Sequence, residues 1–482
     1  MLNAENYEAV IGLEVHVQLL TKSKLFSNDS ASFSSLPNTH VSPIVLAHPG
    51  TLPRLNGKAV EYALQLGTAL ECDIAAYTYF ARKHYFYPDL PKGYQVSQHS
   101  SPICKNGFVN ISTKNGDKRI ALNRIHLEED AGKSIHDKDD NYTSIDLNRA
   151  GVPLLEIVTE PVMHESSEAF SFITEIRKIV RYLGICDGNM EEGSLRCDAN
   201  ISIRKRGDKS LGTKVEIKNL NSIRNVRRAI DVEIERLIGL AENGEHIYQE
   251  TRSYDPDKNT TSGLRVKEEA DDYRYFPEPD LPPVCITTAM LDKVKKEMPS
   301  LPAVLQLKYQ NDFNLSAYDA SSICNDKYTS DYFESVILFS NNHKAIVNWI
   351  LGPLRAYLND HNTSSYNHIL APERLSQLID LIDTGKVSFS IATTKVFPIM
   401  LERKEVTPLD IATEMNLVQE ANEDMLQVWI DEVINAMPDK IAAYKKGKKG
   451  LLALFAGEVK KVSKGKADMK VITTLLTEKL NN

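Results

Sequence analysis

The stretch AVIGLEVHVQLL, residues 9–20, decides how the chain is read. Leu13, Val15, Val17 and Leu19 alternate with Gly12, Glu14, His16 and Gln18. Apolar residues at every second position describe a half-buried β-strand. Its other face carries a carboxylate and an imidazole two residues apart, about 6–7 Å along one side. Two readings of that face stand open. It meets solvent, as polar strand faces often do, or Glu14 and His16 form a working pair.

Similar alternation recurs over 118–129, 143–149, 194–204 and 213–220. Two amphipathic helices interrupt it. SSEAFSFITEIRKIVRYLG places Phe170, Ile173, Ile176, Ile179, Val180 and Leu183 on one stripe and stops at Gly184. NSIRNVRRAIDVEIERLIGLAENG opens on a capping Asn221 or Ser222 and ends at Asn243-Gly244. Strands and helices mix without regular alternation, so the fold class is α+β. The Pro-rich FPEPDLPPVCI, 276–286, reads as an extended boundary. From about Ala289 the periodicity is helical. A second break falls in KEVTPLD, where Thr407 is a candidate N-cap and Pro408 the first helical residue. The domains expected are therefore 1–292, 293–405 and 406–482.

A chain of 482 residues, 42% hydrophobic, builds real cores and suggests two to four domains. Its apolar runs are too short for a membrane span. The N-terminus lacks the pattern of a signal peptide. Six scattered cysteines without a C-x-x-C pair fit reduced thiols in the cytoplasm and argue against structural zinc. Net charge is −8, but from Lys440 onward eleven lysines face three carboxylates. A basic tail on an acidic body suits a polyanion, or is simply a soluble lysine-rich helical end.

The nearest match to a P-loop, GDKSLGTK at 207–214, ends Thr-Lys rather than Lys-Thr and runs into a strand pattern, so it reads as a hairpin loop. The strand carboxylates say more. RIALNRIHLEEDAGKS ends a strand in Glu128, Glu129 and Asp130. Glu156 lies inside the apolar PLLEIV, where a lone carboxylate is costly unless it meets a cation or donor. In EEGSLRCDANISIR, Asp198 shares the outward face with Arg196 and Asn200. If Glu14, His16, Glu129 and Glu156 converge, they suit Mg²⁺ that also holds nucleotide phosphates. Otherwise they form separate salt bridges. RKHYFYPDLPKGYQVSQ interleaves Arg82, Lys83 and Lys92 with Tyr85, Phe86, Tyr87 and Tyr94, either to grip phosphates and bases or as a packed Tyr-rich turn.

These segments, with LNRAGVPLLEIVTEP, TKVEIKNLNS, QETRSYD and DYRYFPEPDLPP, resemble the B subunit of the tRNA-dependent amidotransferase, the GatB family, in order and over nearly the whole length. The resemblance implies a cradle-shaped catalytic domain similar to glutamine synthetase, then a helical domain and a small helical tail domain. It implies ATP-dependent transamidation of Glu-tRNA(Gln), Asp-tRNA(Asn) or both: the side-chain carboxylate is phosphorylated and ammonia displaces the phosphate. Ammonia would come from a glutaminase A subunit, with a small C subunit completing a heterotrimer. Carried over by position, the Mg²⁺ ligands are Glu14, His16, Glu129 and Glu156, with Glu128 and Asp198 as close neighbours in catalysis. Arg82, Lys83 and Lys92 are candidates for the phosphate or acyl-tRNA end. Lys445, Lys446, Lys448, Lys449, Lys460 and Lys464 lie in a stretch that resembles the family's tRNA-binding tail. Some members carry C-x-x-C where this chain has Ser42 and Val45, so zinc is not expected. The chain shows no Gly-Gly-Ser-Ser stretch and no Cys-His pair with glutaminase spacing, so it supplies no obvious ammonia source and is expected to use glutamine only with its partner. An RNA-binding assembly protein and a Mg²⁺-dependent nuclease are the competing classes.

Overall fold

The computed structural model describes residues 4–33, 36–136, 141–266, 274–361, 363, 366–418, 423–463 and 469–481. The chain divides into two compact units, 1–302 and 303–482.

The first unit is built on one large sheet. Its strands are β1 (Tyr7–Gln18), β2 (Ala81–His84), β3 (Tyr94–Ser97), β4 (Gly116–Glu129), β5 (Pro153–Thr159), β6 (Leu195–Lys205), β7 (Val215–Leu220), β8 (Glu250–Asp255), β9 (Thr260–Val266) and β10 (Tyr275–Pro277). They lie in the order β9-β8-β7-β6-β1-β5-β4-β3-β2-β10. Neighbours in that order are antiparallel except the parallel β7–β8 pair. A parallel pair needs a crossover, and α3 (Ile223–Glu242) supplies it.

The opening strand is thus central, flanked by β5 and β6. Leu13, Val15 and Val17 are buried on one face with Leu155, Ile157, Leu195 and Cys197. That face is covered by α2 (Ser166–Tyr182) and α3. The α2 stripe differs from expectation at one point. Phe172 is fully buried beside Ile173 and Ile176, while Phe170 is 38% exposed. Phe170 is three before Ile173 and Phe172 four before Ile176, so helical spacing admits either, and tertiary packing selects Phe172. Gly184 ends the helix at φ +68°, and Ser222 caps α3 by accepting from the Asn225 amide.

Residues 207–214 form the loop of the antiparallel β6–β7 hairpin. The short strand Ser144–Asp146 pairs with Lys133–Ile135 outside the large sheet. The Pro-rich segment is woven into the first unit: β10 pairs with β2, and Val284–Cys285 pairs with Tyr77–Thr78. The helix that follows, α4 (Thr288–Glu297), packs on α1 (Gly57–Ala69) and buries Val294 in the same core. The compact units accordingly part at Pro302.

The second unit is helical throughout its described residues. Trp349, Tyr332 and Phe333 are buried in it. Thr407 caps a helix that starts at Pro408, as its spacing predicts. Farther on, Leu426, Ile430, Phe455, Val459, Ile472 and Leu476 form an apolar cluster. Among the described residues, no helix is long and apolar enough to cross a membrane.

Candidate functional site

The opposite face of the large sheet is polar, and strand register arranges it. His16 on β1 lies across from Glu156 on β5 and Arg196 on β6. Glu156 in turn lies across from His126 on β4, and Glu128 from Ser97 on β3. With period-two alternation, His16, Glu156, His126 and Glu128 share one face. His16 Nε2 is 3.7 Å from Glu128 Oε1 and 3.5 Å from Glu156 Oε2. His126 Nε2 stands 3.6 Å from an oxygen of each carboxylate. Ligand atoms of His16, Glu128 and Glu156 all lie within 4.8 Å of one another.

This cluster is electrostatically tight. Burial disfavours charge on His16, yet its hydrogen bond to Glu156 and the charges of Glu156 and Glu128 lift its pKa to about 9. Burial also works against ionised Glu156, but His126, His16 and Arg124 hold its carboxyl far below the usual carboxylate range. Once a cation displaces the His16 proton, one imidazole nitrogen and the oxygens of two carboxylates form a mostly hard donor set. Such donors fit a small divalent cation such as Mg²⁺.

The structure divides the other expected residues between the two faces. Glu14 shares the cluster's face, accepts from Asn200 Nδ2 at 2.9 Å and lies across from Asp198. Asp198 is held by Lys218 at 2.7 Å. Glu14 and Asp198 adjoin the three-residue group without belonging to it. Glu129 requires a correction. Consecutive strand residues point to opposite faces, so Glu129 turns away from His16 when Glu128 turns toward it. Its carboxylate pairs with Lys92 and accepts from the Val96 amide. Glu14, His16, Glu129 and Glu156 therefore do not gather at one point; Glu128 takes the place expected of Glu129.

Arg82 is likewise engaged away from the cluster, in a two-pronged pair with Glu278 at 2.7 Å and over the Tyr94 ring. Lys83 lies across from Tyr275 on the cluster's side. Sequence reading missed His126, and with it a ledge beside the cluster. His99 stands edge-on to His126 and stacks on Tyr275 with centroids 5.2 Å apart. Lys445, Lys446, Lys448, Lys449 and Lys460 are exposed, and Lys464 lies outside the described residues.

Behind Glu129, Lys24 is fully buried and donates to the carbonyls of His40 and Leu147. Burial pushes its pKa down to about 8, against the pull of Asp29, Asp146 and Glu129. Its unfolded value is 10.5. Between those two values the unfolded chain binds the extra proton, so stability contributed at this position rises with pH. Relative to Lys24→Met, the wild type should gain stability from pH 8 to 10, by up to about 1.4 kcal/mol per unit. Urea unfolding of both proteins at several pH values checks this; a constant difference contradicts it.

The GatB/GatE catalytic domain model matches residues 9–292, and the GatB domain model matches 331–480. The chain belongs to the GatB family. The acid–imidazole cluster thus lies inside the segment that matches the family's catalytic domain. A relative from Bdellovibrio bacteriovorus is 47% identical over 99% of this chain and 100% of its own. One from Chlorobaculum tepidum is 47% identical with the same coverage, and one from Trichodesmium erythraeum is 45% identical over 98% of each chain. Each is named as the B subunit of an aspartyl/glutamyl-tRNA(Asn/Gln) amidotransferase.

Proposed function

We propose that this GatB-family chain carries out ATP-dependent transamidation of Glu-tRNA(Gln), Asp-tRNA(Asn) or both. The observation that carries the reading is the His16–Glu128–Glu156 cluster on the polar face of the catalytic sheet. Full-length similarity to relatives named for this reaction supports it.

A carboxylate is a poor acylating agent because oxide is a hopeless leaving group. In the first step the side-chain carboxylate oxygen bonds to the γ-phosphorus of ATP, and ADP leaves. In the second, ammonia attacks the acyl carbon, inorganic phosphate leaves and a proton is lost. Both steps demand positioning and charge balance more than covalent help. His16, Glu128 and Glu156 would hold Mg²⁺, with Glu14 and Asp198 close by. Bound there, the ion would offset charge on the phosphoryl oxygens. Arg124 approaches Glu156 at 3.8 Å, and Arg196 binds Asp130 at 3.0 Å. They place fixed cations on the face where anionic substrates would lie. Lys83 adds a third. Glu128 is nearly buried and His126 more so, which limits water near an acyl-phosphate.

Ammonia is assigned to a glutaminase A subunit, joined to this chain with a small C subunit. The lysine-rich tail is assigned to tRNA, with affinity that falls steeply with salt. The test is amidation of each misacylated tRNA with ATP by the reconstituted complex and by the isolated chain. Glutamine should serve the complex only, and ammonium should serve as the direct donor. Glutamine-driven amidation by the chain alone, or no amidation by the complex, refutes the reading.

A further inference from the structure

Outside the catalytic face, one cavity sets two arginines into a built wall. The loop that leads from α2 into β6 and the start of α3 enclose about 510 Å³, lined by Arg177, Arg181, Gly188, Asn189, Asn221 and Ser222. Gly188 has φ +70°, and a Cβ there would stand 2.7 Å from Arg177 Cγ and 3.4 Å from Arg181 Cδ. The loop backbone is therefore fitted to the two arginine stems. Arg177 Nε donates to the Gly188 carbonyl at 2.8 Å, which fixes its guanidinium at the wall. Asp187 and Glu191 also border the cavity. Asp187 is turned into its own loop, accepting from the Asn189 amide and the Ser194 hydroxyl.

The adjoining turns of α3 supply the excess of positive charge. Arg224, Arg227 and Arg228 are exposed and form no ion pair among the described residues. The place of Arg224, in the first turn, runs against helix electrostatics. The start of a helix favours carboxylates and its end favours cations, yet α3 has no acidic residue in its first turn and no basic residue in its last. Arg224, in that first turn, gains nothing from the dipole, and an anionic ligand would give it a partner.

Location narrows the ligand. β6 begins, and β1 and β7 end, at the sheet end where His16 faces Arg196. The loop that enters β6 and the start of α3 line the arginine cavity, so it lies at that same end of the sheet, on the helix-covered side. A long anionic substrate with its reactive tip on the cluster could reach it only around this end. Guanidinium groups bind phosphate through paired N–H donors, and neutral Asn189, Asn221 and Ser222 stand beside them in a lining that also holds Asp187 and Glu191.

We propose that the Arg177–Arg181 cavity, with Arg224, Arg227 and Arg228, binds backbone phosphates of the RNA substrate as a contact surface separate from the lysine tail. This rests on the transamidation reading. The test uses the complete complex, tRNA as probe, and two variants: Arg224→Glu/Arg227→Glu, whose carboxylates suit the helix start, and Arg181→Gln. The charge reversal should weaken tRNA binding about tenfold or more and lower the slope of log affinity against log salt by about two. Arg181→Gln should weaken binding severalfold, with thermal midpoints unchanged in both variants. Unchanged affinity and slope in the variants, beside a wild type that binds, overturn the inference alone. Loss of partner-subunit association at unchanged tRNA affinity overturns it too, and marks a protein interface. A wild-type complex that binds no tRNA overturns the transamidation reading, and this inference with it.

Discussion

Glu156→Gln should lower tRNA-dependent ATP turnover and amidation by at least about 10²–10³-fold, the scale of a lost preorganised electrostatic contact. The substitution keeps shape and removes charge. Glu156 lies 3.5 Å from His16 and 3.6 Å from His126, so the amide leaves both imidazoles without that counter-charge. It also takes one of two carboxylates from the hard donor set. Fold should persist, because the flanking Leu155 and Ile157 remain in the opposite core. Single-turnover measurement of ADP formation separates loss of phosphoryl transfer from loss of amidation. Wild-type ADP formation by a folded Glu156→Gln protein would remove the cluster from the mechanism.

Phe172→Ala should destabilise the first unit by about 3–5 kcal/mol, whereas Phe170→Ala should cost less than about 1 kcal/mol. The two phenylalanines differ by two positions and by everything that surrounds them. Phe172 is fully enclosed with Ile173 and Ile176, and its truncation leaves a void. Phe170 is 38% exposed, and truncation there loses fewer buried contacts and leaves a gap open to water instead of an enclosed void. Equal shifts in urea midpoint for the two variants would show that the packing assignment is mistaken.

How much was legible in the sequence follows from which interactions are local. The strand at 9–20 was readable because alternation is a property of one segment. The cap at Thr407 was equally local. The role of Glu128 was within reach. In RIHLEE the same alternation separates Arg124, His126 and Glu128 from Ile125, Leu127 and Glu129. Applying it to the acidic pair would have placed Glu128, not Glu129, with His16. His99 and Tyr275 were beyond reach, because their stacking depends on β10 pairing with β2, and no local pattern encodes that pairing. The strand pairing of the Pro-rich segment was out of reach for a related reason. Proline suits edge strands as well as linkers, and only the partner strand decides between them.

The central position of β1 has a consequence for biosynthesis. Its two hydrogen-bonding neighbours are β5, from Pro153, and β6, from Leu195 to Lys205. Ribosomes add roughly 5–20 residues per second, so a strand with two bare edges waits about 10–40 s for its second neighbour. During that interval an apolar ribbon is open to pairing with any other nascent chain. Expression of this protein should therefore respond to chaperones that shield early segments, and to translation speed through the first two hundred codons.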